Sequence, residues 1–143
     1  MRVRQVVNAL NLSTMLGLIV ALVGRAGVRR GPSGLLLATG YRLRIPAAVA
    51  FTVGDVVLTR LSAEQLAARP RLLAHEARHA TQWAWCLGPV FLPLYGVAAL
   101  WSRARTGDFA TGNVFERRAG LADGGYVRAA SDQVTEGQDE GHD

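Results

Sequence analysis

Residues 70–88 constrain this chain more than any other stretch. Pro70 suits the first position of a helix and Gly88-Pro89 supplies a stop, so the spacing predicts one helix from Pro70 to about Cys86 or Leu87. Leu72, His75, His79, Gln82 and Cys86 follow the i, i+3, i+4, i+7 spacing of a single face. Leu73, Ala77, Ala80, Ala84, Trp83 and Trp85 make most of the remaining surface apolar. A helix apolar on nearly all sides is expected to be buried, and its two histidines with it. The fold must therefore close around a helix that carries a pair of imidazoles.

That pair belongs to His75-Glu76-Ala77-Arg78-His79, an H-E-x-x-H pattern. Residues four apart on a helix lie one above the other, so both rings can reach one zinc ion through bonds of about 2.0–2.1 Å. Glu76, next to the first histidine, is placed to reach a water on such a metal rather than the metal itself. A catalytic zinc takes three protein ligands and a water. His142 lies in an acidic terminal stretch, and the single cysteine, Cys86, sits on the same helix two turns past His79. The third ligand is thus expected to be a carboxylate, with Glu116 the leading candidate on a separate predicted helix. Asp55, Glu64 and Asp108 rank behind it, in predicted strand, exposed helix and loop.

Glu116 has a competing explanation. Asn113-Val114-Phe115-Glu116 also reads as a capping box, in which the glutamate returns to the cap backbone. Against this, Phe115, Ala119 and Leu121 make the helix apolar, and a buried glutamate needs a partner. Asp123, seven residues on, suits either a hydrogen bond to the outer nitrogen of a ligand histidine or a helix-terminal cap. The helix is expected to run from Val114 to about Asp123, closed by Gly124-Gly125.

Ahead of the motif the pattern changes to strands. Tyr41–Ile45 alternates at period two and stops at Pro46, as a half-buried strand does. The stretch 50–59 is rich in Val, Phe and Thr and is interrupted by Gly54-Asp55, which fits a strand or a short hairpin. Gly31-Pro32-Ser33-Gly34 signals a turn, and Gly34–Ala38 echoes Gly17–Ala21. Ser62-Ala63-Glu64-Gln65 is a capping-box pattern that opens a short helix ending before Pro70. After the motif helix, Pro93 lies too near the start of the next unit to break it, and the regular part is placed at about Leu94–Ser102. A sheet edge beside the motif helix would let a peptide add as a strand.

The first 24 residues are open to three readings. Val6–Val23 has no charged residue and is flanked by Arg2 and Arg4 on one side and by Arg25, Arg29 and Arg30 on the other. It is marginal for a membrane span of roughly 20 apolar residues and contains Asn8, Asn11, Ser13 and Thr14. Gly24-Arg25-Ala26-Gly27 makes a poor signal-peptide cleavage site. A core strand or peripheral segment is favoured over a membrane anchor.

The 143 residues suit one domain over residues 1–130, followed by a disordered acidic tail over residues 131–143. Every basic residue is arginine. With 16 of them against six acids, residues 1–130 carry +10, while five acids give the tail −5. A basic body suits an anionic surface or an acidic partner, but the favoured reading is solvated arginine side chains. Peripheral membrane contact enters with the 89–105 unit, which reads as a core helix or as a membrane-surface helix ending in Trp101, Arg103 and Arg105. No aromatic-plus-basic cluster points to nucleic acid. One cysteine excludes an internal disulfide framework and a multi-cysteine zinc site. The compartment stays open between cytoplasm and membrane.

Leu73-Ala74-His75-Glu76 through Gln82, then Leu87-Gly88-Pro89, then Phe115-Glu116-Arg117-Arg118-Ala119, resembles the zincin metallopeptidases of gluzincin type. The likeness is to small, largely uncharacterised bacterial members with H-E-x-x-H-x-x-Q, a Gly-Pro turn, and E-x-x-A on a following helix, and it covers residues 72–126. The resemblance implies zinc bound by His75, His79 and Glu116, with Glu76 as base. Arg78 stands where such proteins often carry a small residue, and residues 1–60 show no zincin signature.

The expectation is an α+β domain in which short N-terminal strands precede a zincin-like helical core. Its function is read as a zinc-dependent hydrolase, a metallopeptidase in which zinc-bound water, activated by Glu76, attacks the carbonyl of a peptide or protein substrate. Tyr95, Tyr126 and Arg78 are candidate oxyanion donors. The alternative is a non-catalytic protein in which zinc ties two helices together, a structural or interaction module with membrane association.

Overall fold

In a computed structural model, residues 3–125 are described, and among them the fold is α+β with a four-stranded sheet. The acidic tail, His142 and Tyr126 lie outside the described residues. The elements in order are α1 (Val3–Leu10), α2 (Ser13–Val23), β1 (Gly27–Arg30), β2 (Leu36–Thr39), β3 (Ala50–Val53), β4 (Val56–Thr59), α3 (Ala63–Ala67), α4 (Pro70–Trp85), α5 (Phe91–Thr106) and α6 (Val114–Ala119). The strand order is β1-β2-β4-β3. β1 and β2 are antiparallel, β2 and β4 parallel, and β3 and β4 an antiparallel hairpin.

The hairpin forms where Gly54-Asp55 interrupts the Val-rich run. Gly54, at φ +60°, takes the first central position of a two-residue turn, where a type II′ turn requires glycine. A Cβ there would also lie 2.4 Å from the Thr14 nitrogen, so α2 packs directly on the turn. β4 is buried on both faces because its neighbours alternate. Val56 and Leu58 join Ala21, Ala38 and Trp83 in one core cluster, while Val57 joins Leu35 and Ala80 of α4 in another. Asp55, buried in the turn, is held by Arg4 at 2.8 Å and by Asn8, which also bonds the Ala80 carbonyl. These polar contacts tie α1 to both the hairpin and α4.

Several expectations need correction. Residues 3–23 form two helices bent by 72°, not a core strand. Gly17–Ala21 is helical while its echo continues into β2, because the first packs as a helix face on Val53 and Val56. Tyr41–Ile45 is not a strand, although Tyr41 is buried. Side chains take two of its carbonyls: the Arg60 guanidinium bonds the Leu43 oxygen, and those of Pro46 and Ala48 just beyond, while the Tyr41 hydroxyl donates to the Ile45 oxygen. α5 starts three residues earlier than expected and ends four later. Pro93 falls in its first turn, where no amide donor is needed. α6 stops at Ala119, since Gly120 at φ +91° leaves helical geometry. Trp85 is 82 % exposed, so α4 is buried on the histidine side but not all round. The Ser62 capping box is formed in both directions.

Candidate metal centre

α4 runs as the spacing predicts, from Pro70 to Trp85, and places His75, Glu76 and His79 in the interior. It lies against the edge strand β3, where the Trp83 indole donates to the Thr52 carbonyl at 2.8 Å. The expected sheet edge beside the motif helix is therefore present, with one carbonyl already engaged. α6 crosses α4 on the other side and brings in Glu116, also buried.

The three expected ligands converge. His75 Nε2 and His79 Nε2 are 3.1 Å apart, and Glu116 Oε2 lies 3.2 Å from the first and 3.5 Å from the second. A tetrahedral ion with bonds of about 2.0–2.1 Å separates its ligand atoms by about 3.3–3.4 Å, so the triangle has the right size. Glu116 Oε2 is buried and receives no hydrogen bond of good geometry. Such an orphaned acceptor at the centre of two imidazoles suits a cation. Among the described residues, His75, His79 and Glu116 form a group able to hold a metal ion.

The surrounding contacts orient these ligands. His75 Nδ1 lies 3.1 Å from the Ala119 oxygen and 3.0 Å from the Gly120 oxygen, and His79 Nδ1 lies 2.8 Å from Gln82 Oε1. Carbonyl acceptors on both Nδ1 atoms select the tautomer that turns an Nε2 lone pair inward. Gln82 also donates from Nε2 to the Phe115 oxygen at 2.9 Å, so one amide aims His79 and docks α6. Tyr95 donates to Glu116 Oε1. Asn113 accepts from the Phe115 amide, but the Glu116 side chain does not return to the cap, so the capping box is half made.

Other candidates are placed elsewhere. Asp123 pairs with Arg78 at 2.8 Å, and neither ligand histidine takes it as the partner of its outer nitrogen. Arg78 is turned to Asp123 and to the Ala119 carbonyl. Asp55 anchors α1, Glu64 accepts from Ser62, and Asp108 accepts the amides of Ala110 and Thr111.

Glu76 points into the same cavity but is not one of the three converging groups. Burial pushes its carboxyl above the usual carboxylate range, opposed by the Thr52 hydroxyl, which donates to Oε2 at 2.6 Å. Burial also disfavours ionisation of Glu116, yet the two imidazoles and the Tyr95 hydroxyl outweigh it and hold that carboxyl well below its ordinary range. Burial lowers the proton affinity of His75, and Glu116, the charge of Glu76 and the Gly120 carbonyl together more than reverse this, leaving it raised. The two glutamates are thus driven in opposite directions, one towards holding a proton and one towards a fixed negative charge.

A half-open cavity of about 480 Å³ adjoins the group. Leu16 and Val20 of α2, Phe51 of β3, and Phe91 and Leu92 of α5 form much of its apolar wall. Thr52 and the double role of Gln82 are not foreseen from sequence. Gln82 carries a signal, being three residues past His79 on the same face; Thr52 carries none, since its contact with Glu76 spans two elements. Compared with known proteins, the chain matches no family model, no curated protein and no solved structure.

Proposed function

We propose that this protein is a zinc-dependent hydrolase that cleaves peptide bonds, a metallopeptidase of the kind its H-E-x-x-H motif resembles. The observation that carries the reading is the ligand triangle of 3.1, 3.2 and 3.5 Å with Glu76 standing beside it in an open cavity. His75, His79 and Glu116 would hold the ion: two neutral nitrogen donors and one anionic oxygen, a set that suits zinc. A zinc ion there supplies Lewis acidity, lowering the pKa of water and polarising a carbonyl.

The chain's own residues do the rest. Glu76 accepts the proton of the attacking water on a carboxylate oxygen and delivers it to the leaving amine. Its burial raises its proton affinity towards the working range, and Thr52 keeps one oxygen oriented. Tyr95 and Gln82 fix Glu116 and His79. The apolar walls favour substrates with apolar side chains next to the scissile bond.

A non-catalytic ion tying α4 to α6 is the second reading, and the half-made capping box speaks for it, since Glu116 has given up a local role to bridge the helices. A structural zinc has four protein ligands and no open position. Three convergent ligands beside a 480 Å³ cavity favour catalysis.

The test is metal content and peptide cleavage in wild type, His79→Ala, Glu116→Ala and Glu76→Gln. About one zinc per chain is expected in wild type and Glu76→Gln, much less in the ligand variants, and turnover in wild type alone. Wild type without zinc overturns the reading, and zinc without cleavage of any member of a peptide library leaves the structural alternative in its place.

A further inference from the structure

The helices α2 and α5 present apolar faces to solvent that the metal site does not use. Leu12, Met15, Ile19 and Leu22, spaced 3, 4 and 3 residues apart, form one stripe along α2, with Leu22 78 % exposed. Val90, Leu94, Val97 and Trp101, spaced 4, 3 and 4, form another along α5, with Val97 68 % exposed. Each stripe opens at a corner. The α1–α2 corner turns at Leu12, φ +65°, and the α4–α5 corner at Leu87, φ +56°. The two corners abut, for a Cβ on Gly88 would lie 2.8 Å from Asn11 Cγ and from Ser13 Oγ. A left-handed conformation disfavours leucine by about 1–2 kcal/mol, yet both corners use it to hold an apolar side chain outward. Both helices also line the cavity beside the metal ligands.

The charge arrangement identifies the occupant. Residues 5–24 and 80–102 contain no charged side chain, and arginines follow each at once. Arg25, Arg29 and Arg30 succeed α2, Arg103 and Arg105 close α5, and all five are exposed. The Arg105 guanidinium stacks 5.1 Å from the centre of the Trp101 ring, a tryptophan–arginine pair suited to a lipid–water boundary. Asp108, the acid near that end, is engaged by backbone amides. A face of neutral apolar stripes edged by guanidinium groups complements acyl chains edged by phosphate. Among the described residues no single helix is long and apolar enough to cross a membrane; α1 with α2, and α4 with α5, reach that length and apolarity only as pairs bent by 72° and 111°.

We propose that the face formed by α2, α5 and their joined corners docks on an anionic lipid bilayer, with the stripes at the acyl–headgroup boundary and Arg25, Arg29, Arg30, Arg103 and Arg105 on lipid phosphates. Docking of this kind needs no turnover and no metal, so it stands apart from the hydrolase reading. It brings the cavity, walled by the same two helices, to the membrane surface.

Flotation of the full-length protein with liposomes tests it, using phosphatidylcholine vesicles with and without 30 % phosphatidylglycerol, which about Debye-length screening in 0.5 M NaCl should weaken. Flotation with the anionic vesicles is expected. Ile19→Glu combined with Val97→Glu should reduce it at least about ten-fold while circular dichroism and the melting midpoint stay unchanged. Arg103→Gln with Arg105→Gln should reduce it about thirty-fold on anionic vesicles only. Absence of flotation with every vesicle overturns the proposal. So does a soluble dimer, measured by sedimentation, that the Ile19→Glu and Val97→Glu pair dissociates, for the face would then cover a second copy. Equal binding to neutral vesicles removes the arginines from the proposal and overturns its anionic part.

Discussion

Thr52, on β3, donates a 2.6 Å hydrogen bond from Oγ1 to Oε2 of Glu76, on α4. This contact joins the edge strand to the residue assigned the proton transfers, and it favours the charged form of a carboxyl that burial otherwise drives towards neutrality. Thr52→Val removes the donor at nearly constant volume. We expect zinc content to be unchanged and kcat to fall about 10- to 100-fold as Glu76 loses its fixed orientation. Without the donor the Glu76 pKa rises further, so the acidic limb of the kcat/KM profile should move to higher pH. An unmoved limb would show that Thr52 only packs.

Gln82 binds His79 with one end of its amide and the Phe115 carbonyl with the other. Gln82→Leu leaves both partners without it. Zinc affinity, read by competition with a chromophoric chelator, should weaken about 10- to 100-fold. Stability of the metal-free protein should fall by about 1–3 kcal/mol in urea titration, because the Phe115 oxygen loses its donor.

The pH dependence of stability should change sign on metal loading. In the stripped protein the folded-state pKa of His75 is raised above 6.5, so its contribution is fully present below that value and is lost as pH rises through the folded value. Glu76 acts in the same direction: its folded pKa is raised from 4.5, so the folded state is increasingly penalised as pH climbs past that point. Glu116, with a depressed pKa, contributes fully above 4.5 and loses that contribution only in acid. The stripped protein should therefore melt higher at pH 5.5 than at pH 8.5. With zinc the order should reverse, since the ion competes with protons for the imidazoles. Thermal melts at both pH values, with and without zinc, measure this.

Arg60 holds the 41–49 segment by bonding three of its carbonyls. Arg60→Met keeps the aliphatic stem and removes the donors. The variant should lose about 1–2 kcal/mol, the share expected of partly exposed charge-assisted bonds, and be cut faster between residues 42 and 49 by a limiting protease. Zinc content should not change, because the three candidate ligands are carried by α4 and α6 and not by this segment.

Local geometry was legible in the residues themselves. The His75–His79 pair follows from helical periodicity between Pro70 and Gly88, the β3–β4 hairpin from Gly54-Asp55, and the α3 cap from Ser62 and Gln65. Each depends on neighbours within about one turn of chain, so no distant contact needs to be known. The errors arose where a distant group overruled the local pattern. Tyr41–Ile45 alternates like a strand, yet the Arg60 guanidinium takes the Leu43 carbonyl. Val6–Val23, uncharged and echoed by a stretch that enters β2, reads as a core segment, yet Gly17 packs on Val53 and Val56 from within a helix.

Sequence alone determined the two imidazoles on one face, the adjacent Glu76, and the need for a carboxylate from elsewhere. Glu116 was the leading candidate from the apolar character of its helix, but no spacing rule places it, because its relation to His79 spans 37 residues and two elements. Only the tertiary structure brings it to the pair, by laying α6 across α4 with Gln82 as the link and leaving Glu116 Oε2 buried between the rings. Periodicity is a property of a helix by itself, whereas a ligand triangle is a property of how two helices pack.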